Sequence, residues 1–145
     1  MIRAENVSFR IGDFHLRDIT LHVKPGEYFV LMGPPGSGKT IFLECLCGLK
    51  RVDSGRIIID GRDATRLEPR ARAVGYVPQD YALFPHYDVE HNINFGLKRA
   101  GVSPETARRK TEEVADLLGI RRLLKRSVGG LSGGERQRVA LAALA

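Results

Sequence analysis

The eight residues at 33–40, Gly-Pro-Pro-Gly-Ser-Gly-Lys-Thr, constrain the fold of this chain more than any other segment. They match the pattern G-x-x-x-x-G-K-[ST] at every fixed position. An apolar run at 28–32 precedes them and a helix-like run at 41–46 follows, so the sequence predicts a buried strand, a glycine loop and a helix. Glycines let successive backbone N–H groups face an anion, and a helix start adds partial positive charge. The segment therefore predicts a phosphate-binding loop rather than an ordinary glycine-rich turn.

Every residue of this loop is a candidate contact for a nucleotide. The candidates are Gly33, Pro34, Pro35, Gly36, Ser37, Gly38, Lys39 and Thr40. In such a loop the lysine reaches the β- and γ-phosphates and the following hydroxyl holds Mg²⁺. We therefore expect ATP and Mg²⁺ as ligands, with Lys39 on the phosphates and Thr40 on the metal.

Length and charge restrict the class of protein. The chain has 145 residues, of which 43% are hydrophobic and 28% charged, as expected for a single globular domain. No apolar run approaches the roughly 20 residues of a membrane span. The net charge of +6 falls within residues 98–145, because residues 1–97 hold equal numbers of basic and acidic side chains. No aromatic residue follows Phe95 to stack on a base, so solvated helix faces explain this charge better than nucleic acid or anionic lipid.

Turn residues and apolar periodicity divide the rest of the chain into short elements. Strands are predicted at 2–9, 14–23, 28–32, 56–60 and 73–77, and helices at 41–47, 89–98, from Ser103 onward and at 135–145. Cys45 and Cys47 are two apart on a predicted helix and point in different directions. We therefore expect free, buried thiols rather than a disulfide or a metal site.

A second glycine motif opens the last predicted helix. Leu131-Ser132-Gly133-Gly134-Glu135 places a serine and two glycines at its start, which is a further anion-binding arrangement. Ser132, Gly133 and Gly134 are therefore candidate ligand contacts. Ser-Gly-Gly occurs in many loops, so this motif indicates a binding site only in combination with the loop at 33–40.

Between the two motifs lie Gln79 and the segment Ala82-Leu83-Phe84-Pro85-His86. With these features in this order, the chain resembles the ATP-binding domain of ABC transporters over essentially its whole length. The resemblance implies an α/β P-loop NTPase fold with parallel core strands and a β-rich N-terminal part. It implies a single domain over 1–145, with a core at about 1–87 and 131–145 and a helical subdomain at about 88–130.

The resemblance also implies a mechanism. Members of the family form head-to-tail homodimers in which the signature of one subunit, here Ser132, Gly133 and Gly134, covers ATP held by the other. Lys39, Gln79 and Ser132 would be the catalytic residues, and Thr40 and Gln79 the metal contacts. Gln79 could instead cap the end of a strand. Transmembrane permease subunits would be the partners, near the loop at 80–86, which places the protein peripherally on the cytoplasmic face of the membrane.

Within the family, residues 77–86 look like the branch of importers that serves maltose, polyamines, sulfate and molybdate or tungstate. The run at 14–19 and the ending Gly-Lys-Thr-Ile look most like the molybdate/tungstate type. ATP hydrolysis that drives solute import is therefore the expected function, without a nucleic acid partner.

Several positions depart from the family pattern. Ile11 stands where an aromatic residue usually stacks on adenine, and Phe9 or Phe14 could replace it. Ile41 stands where a second hydroxyl often follows the metal ligand. The apolar strand that ends in Asp-Glu, which supplies a metal ligand and the group that polarises water, does not occur in this sequence. We therefore expect the chain to be part of a longer protein that carries the C-terminal part of the fold.

Two other functions remain open at this stage. The basic C-terminal part would suit an ABC-type ATPase that acts on nucleic acid or ribosomes, which would bind with a steep salt dependence. The missing acidic strand would suit a nucleotide-binding fragment without catalysis.

Overall fold

The computed structural model describes residues 1–144, and its contacts divide the chain into two compact units, Met1–Gly75 and Tyr76–Ala145. Each unit has its own apolar core. No helix in residues 1–144 is both long and apolar enough to cross a bilayer.

The first unit is built on an antiparallel four-stranded sheet in the order β2-β1-β3-β4. Its strands are β1 (Ile2–Ile11), β2 (Phe14–Val23), β3 (Ser54–Ile59) and β4 (Arg62–Asp63). β1 pairs with β2 and β3 on its two sides, and irregularities in register near Asn6 interrupt both ladders. The strands predicted at 2–9, 14–23 and 56–60 are thereby confirmed, within a few residues at their ends.

Helix α1 (Lys39–Cys47) packs its buried side on this sheet. Phe42, Cys45 and Leu46 are buried with Ile57 and other apolar side chains of the sheet. The helix ends at Gly48, whose φ of 81° lies in the left-handed region that favours glycine. The structure confirms the predicted helix and its stop. Both thiols are free as predicted, but only Cys45 is buried and Cys47 is half-buried.

The prediction of a buried strand at 28–32 is wrong. Residues 28–32 form no strand, and the side chains of Tyr28 and Met32 are 92% and 83% exposed. The segment at 73–77, also predicted as a strand, has no strand assignment either. An apolar run becomes a strand only when a neighbour completes its backbone hydrogen bonds, and no strand of residues 1–144 pairs with either segment. The described sheet is accordingly antiparallel, without the parallel strands that the family resemblance implies.

The second unit is helical. It contains α2 (Val89–Arg99), α3 (Pro104–Leu117) and α4 (Gly133–Ala142). Asp88 caps α2 and Ser103 caps α3, which has proline at its first position as the sequence predicts. The three helices and the segment at 120–131 enclose a core whose fully buried members include Val89, Ile120 and Val139. α4 is shorter than predicted, because the helix ends at Ala142; the last predicted residue, Ala145, lies outside the described residues.

Candidate functional site

The loop at 33–40 folds as a glycine-dependent turn between exposed chain and α1. Gly36 and Gly38 have φ angles of 77° and 88°, a region that side chains with a Cβ rarely adopt. Gly38 is also crowded, since a Cβ there would lie 2.4 Å from Phe14 Cζ and 2.8 Å from Leu16 Cδ2. Any residue larger than glycine at 38 would therefore have a strained backbone and would force Phe14, Leu16 or the loop to shift.

Lys39 folds its side chain back over this loop. Its ammonium group donates to the carbonyl oxygens of Gly33 and Pro34, each at 2.8 Å, and to Ser37 Oγ at 3.3 Å. Three oxygens from one short loop therefore bind a single cation. Phosphate oxygens bind an ammonium group more strongly than neutral carbonyls do, so an anion at the loop would compete well for these bonds.

The start of α1 is open to such an anion. Gly38 occupies the N-cap and has no side chain to satisfy the first N–H groups, and the first helical bond runs from Phe42 N–H to Gly38 O at 2.8 Å. The N–H groups before Phe42 thus precede the hydrogen-bond ladder of the helix. A cavity of about 210 Å³ lies here, lined by Phe14, Gly36, Gly38, Lys39, Thr40 and Ile41. Thr40 is exposed at this position, where its hydroxyl can reach a ligand. The donors and the cavity fit a phosphate group.

Arg72 anchors the opposite end of α1, and sequence reasoning missed it. The residue is 4% exposed and donates to the carbonyls of Cys45 (2.9 Å) and Leu46 (2.8 Å) in the last turn. The same guanidinium donates to Leu67 O at 2.9 Å and Thr65 O at 3.3 Å. Burial lowers the pKa of Arg72 from its usual value. A cation at the carboxyl end of a helix complements its dipole, so Arg72 stabilises the helix that carries Lys39.

Of the aromatic residues proposed as replacements beside the nucleotide, one is accessible. Phe9 is 9% exposed and belongs to the core of the first unit. Phe14 is half-buried and forms one wall of the cavity at Gly38 and Thr40. Ile11, at the end of β1, is 51% exposed.

Gln79 is exposed and lies in a tight turn of the second unit. Tyr81 N–H donates to Pro78 O at 2.9 Å, and Tyr81 and Ala82 both have positive φ angles. The side chain of buried Asn92 fixes the next few residues: it accepts from Phe84 N–H at 2.8 Å and donates to Asp88 O at 2.9 Å. Gln79 is thus followed by a loop that Asn92 holds at Phe84 and Asp88.

Ser132 is the N-cap of α4 and forms a reciprocal capping box with Glu135. Both the Ser132 N–H and the Ser132 hydroxyl donate to Glu135 Oε2 at 2.9 Å, and Glu135 N–H donates to Ser132 Oγ at 3.3 Å. The two hydrogen bonds from Ser132 lower the pKa of Glu135 from its usual value. The first helical bond runs from Arg136 N–H to Ser132 O at 2.9 Å. Gly133 and Gly134 are the first two residues of α4, so their N–H groups precede the hydrogen-bond ladder of the helix and can receive a ligand.

The predicted site residues are divided between the two units. The loop at 33–40 belongs to the first unit, and Gln79 and residues 132–134 belong to the second. The Ser-x-x-Glu spacing was visible in the sequence and could have predicted the capping box. Arg72 gave no comparable signal, because its partners at Cys45 and Leu46 lie 27 and 26 positions away.

Residues 16–145 match the protein family described as ABC transporter. The chain belongs to that family. It is 49% identical over 142 residues to the molybdate/tungstate import ATP-binding protein WtpC of Pyrococcus abyssi, covering 98% of this chain and 41% of the relative. It is 46% identical over 142 residues to the sulfate/thiosulfate import ATP-binding protein CysA of a Synechocystis species, covering 97% of this chain and 40% of the relative.

The fold agrees with that membership. A dimeric ATP-binding cassette solved in a post-hydrolysis state with ADP and Pi superposes with a TM-score of 0.85 at 28% identity, covering 99% of this chain and 68% of the cassette. The α/β P-loop fold of the ABC type is therefore confirmed, and the chain spans about two fifths of the two import proteins that it resembles.

Proposed function

We propose that this chain binds ATP at residues 33–40 as part of the ATP-binding subunit of an ABC importer. The observation that carries the proposal is the loop itself. The Lys39 ammonium group lies among three loop oxygens, beside a helix start that has no side-chain cap. This arrangement supplies one cation and several N–H donors to a phosphate chain, as P-loop ATPases require.

Binding would exchange partners at Lys39. The ammonium group would leave the carbonyls of Gly33 and Pro34 for the β- and γ-phosphates, and the loop N–H groups would donate to the same oxygens. Thr40 and Gln79 both carry oxygen atoms of the kind that Mg²⁺ prefers, and both are exposed. When bound, Mg²⁺ would neutralise charge on the phosphates. Gln79 would also orient the attacking water.

A second copy of the chain would complete the site. In a head-to-tail homodimer the Ser132 hydroxyl and the N–H groups of Gly133 and Gly134 from one copy would meet the γ-phosphate held by the other. The two glycine N–H groups precede the hydrogen-bond ladder of α4, which supports a ligand there. The similar solved cassette is a dimer bound to ADP and Pi, which supports the same assembly for this chain.

Hydrolysis would drive the import of a solute through transmembrane permease subunits, at the cytoplasmic face of the membrane. Similarity to import ATP-binding proteins for molybdate/tungstate and for sulfate/thiosulfate favours an oxyanion. The loop at 80–86, which is hydrogen-bonded to Asn92 at Phe84, is the proposed contact with the permease. Within this scheme residues 88–130 form the helical subdomain, and residues 1–87 and 131–145 belong to the core.

The test compares two variants of the purified protein. Lys39→Ala removes the cation and should abolish ATP binding, measured by calorimetry, together with turnover. Ser132→Ala leaves the phosphate loop intact, so it should bind ATP like the wild type but lose phosphate release. Unchanged turnover in both variants would contradict the proposal.

The same preparation separates the alternatives. Tight ATP binding without phosphate release in the wild-type protein would indicate a nucleotide-binding module without catalysis. Binding to DNA or RNA that weakens steeply with salt would indicate a nucleic-acid-directed ATPase.

A further inference from the structure

Glu135 holds the only hydroxyl proton of the signature serine. Ser132 Oγ donates to Glu135 Oε2 at 2.9 Å, and the Ser132 N–H donates to the same oxygen at the same distance. A serine hydroxyl has one hydrogen, so it can serve one acceptor through it at a time. An ionised carboxylate can only accept hydrogen bonds, and Glu135 accepts both of these from Ser132.

The carboxylate is firmly held in this position. Glu135 is half-buried, and its pKa lies below the usual value because of the two bonds from Ser132 and the positive charges of Arg122 and Arg126. Arg122 Nη2 lies 3.9 Å from the second carboxylate oxygen, Oε1. Glu135 therefore stays ionised near neutral pH, where it presents a negative charge at the start of α4.

A phosphate that approached Ser132 would compete with this carboxylate for the hydrogen bond from the Ser132 hydroxyl. We infer that Glu135 competes with the γ-phosphate for the Ser132 hydroxyl proton, and thereby weakens the ATP-bound dimer and keeps its closure reversible. This inference rests on the proposed function, because it concerns the contact between Ser132 and the nucleotide of a second copy. Glu135 acts through Ser132 and is a positioning residue.

The substitution Glu135→Gln separates this role from that of a simple cap. The amide oxygen of glutamine still accepts from the Ser132 N–H, so the capping box is retained. A neutral amide is a weaker acceptor than a carboxylate, so the hydroxyl proton is released more readily to a phosphate. We expect the dissociation constant of the ATP-dependent dimer to fall about fivefold, which corresponds to about 1 kcal/mol.

A residue that only stabilised the fold would give a different result. Loss of a negative charge from the first turn of a helix removes a favourable interaction with the helix dipole. Glu135→Gln should therefore lower the melting temperature slightly or leave it unchanged, while dimer affinity rises. Opposite effects on stability and association are not expected of a structural residue.

Glu105 provides a matched control. It lies in the first turn of α3, whose N-cap is also a serine, but Ser103 forms its hydrogen bonds with Thr106 instead. Glu105→Gln removes one negative charge from the first turn of a helix, as Glu135→Gln does, and should leave the ATP-dependent dimer unchanged.

The experiment is sedimentation equilibrium of the wild-type protein and both variants with ATP and EDTA, which prevents hydrolysis, at low salt and at roughly 0.5 M salt, where the Debye length is about 4 Å. Competition for a proton at hydrogen-bond distance is short-range, so the gain in affinity should persist at high salt.

Two results would overturn the inference: no gain for Glu135→Gln, or a gain that disappears at high salt, which would assign the effect to charge repulsion alone. Absence of ATP-dependent association in the wild type and in the variants would instead contradict the proposed function on which the inference rests.

Discussion

Arg72 is a buried cation satisfied entirely by backbone carbonyls, and replacing it should destabilise the first unit strongly. Its guanidinium makes four hydrogen bonds, two to the last turn of α1 and two to residues 65 and 67. At about 1 kcal/mol net for each bond, Arg72→Met would lose about 4 kcal/mol. That value per bond already includes desolvation of the guanidinium, so the expected loss in the free energy of unfolding is about 4 kcal/mol.

Arg72→Lys gives a graded test of the same reasoning. Lysine keeps the positive charge, but its single ammonium group cannot span the carbonyls on both segments as the planar guanidinium does. We therefore expect an intermediate loss of about 2 kcal/mol, from half of the bonds.

The assay is urea unfolding followed by far-ultraviolet circular dichroism, because the chain contains no tryptophan. Arg70→Met is the control: Arg70 is exposed and pairs with Glu68 at 3.0 Å on the surface. Exposed pairs contribute about 0–1 kcal/mol, so this variant should unfold almost like the wild type. If Arg72→Met lies within about 0.5 kcal/mol of the Arg70→Met control, the anchoring role of Arg72 is refuted.

Two further predictions follow from shifted pKa values. Asp63 accepts from the Thr65 hydroxyl (2.6 Å), Thr65 N–H and Arg56, which lowers its pKa from 3.8 to about 2. This interaction contributes stability above pH 4 that is lost as the pH falls towards 2, so Asp63→Asn should flatten the acid limb of stability against pH; an unchanged limb would contradict the assignment. Burial raises the pKa of the Cys45 thiol to about 11 and also raises that of Cys47. Both thiols should react slowly with a disulfide reagent at pH 8 and rapidly in urea, and fast reaction of the folded protein would be inconsistent with this environment.

The parts of the fold that depend on local sequence were predictable. The glycine loop, the stop at Gly48 and the cap at Ser103 depend on backbone conformations and side-chain bonds within a few residues. The exposed conformation of the run at 28–32 was not predictable. An apolar sequence indicates burial and β-propensity but does not specify a partner strand. The described sheet places antiparallel strands together and leaves this run exposed.

The candidate site shows the same division. Lys39, Thr40 and Ser132 were recognised from motifs, and the structure adds what their side chains do: Lys39 folds onto the loop and Ser132 is held by Glu135. Contacts across long sequence separations, such as those of Arg72, depend on tertiary packing and leave no periodic signal. Phe9 and Phe14 were equivalent candidates in the sequence, and only burial distinguishes them.

The central claim is that ATP phosphates bind at the loop of residues 33–40, and amide hydrogen exchange tests it most directly. Addition of ATP and Mg²⁺ should slow exchange at Gly36, Gly38 and Thr40, because their N–H groups would donate to phosphate oxygens. Gly61, in an exposed turn with open space around it, should exchange at the same rate with and without nucleotide. Protection of the loop amides in the wild type that is lost in Lys39→Ala would support the account. Unchanged exchange throughout residues 33–41 at saturating ATP would contradict it.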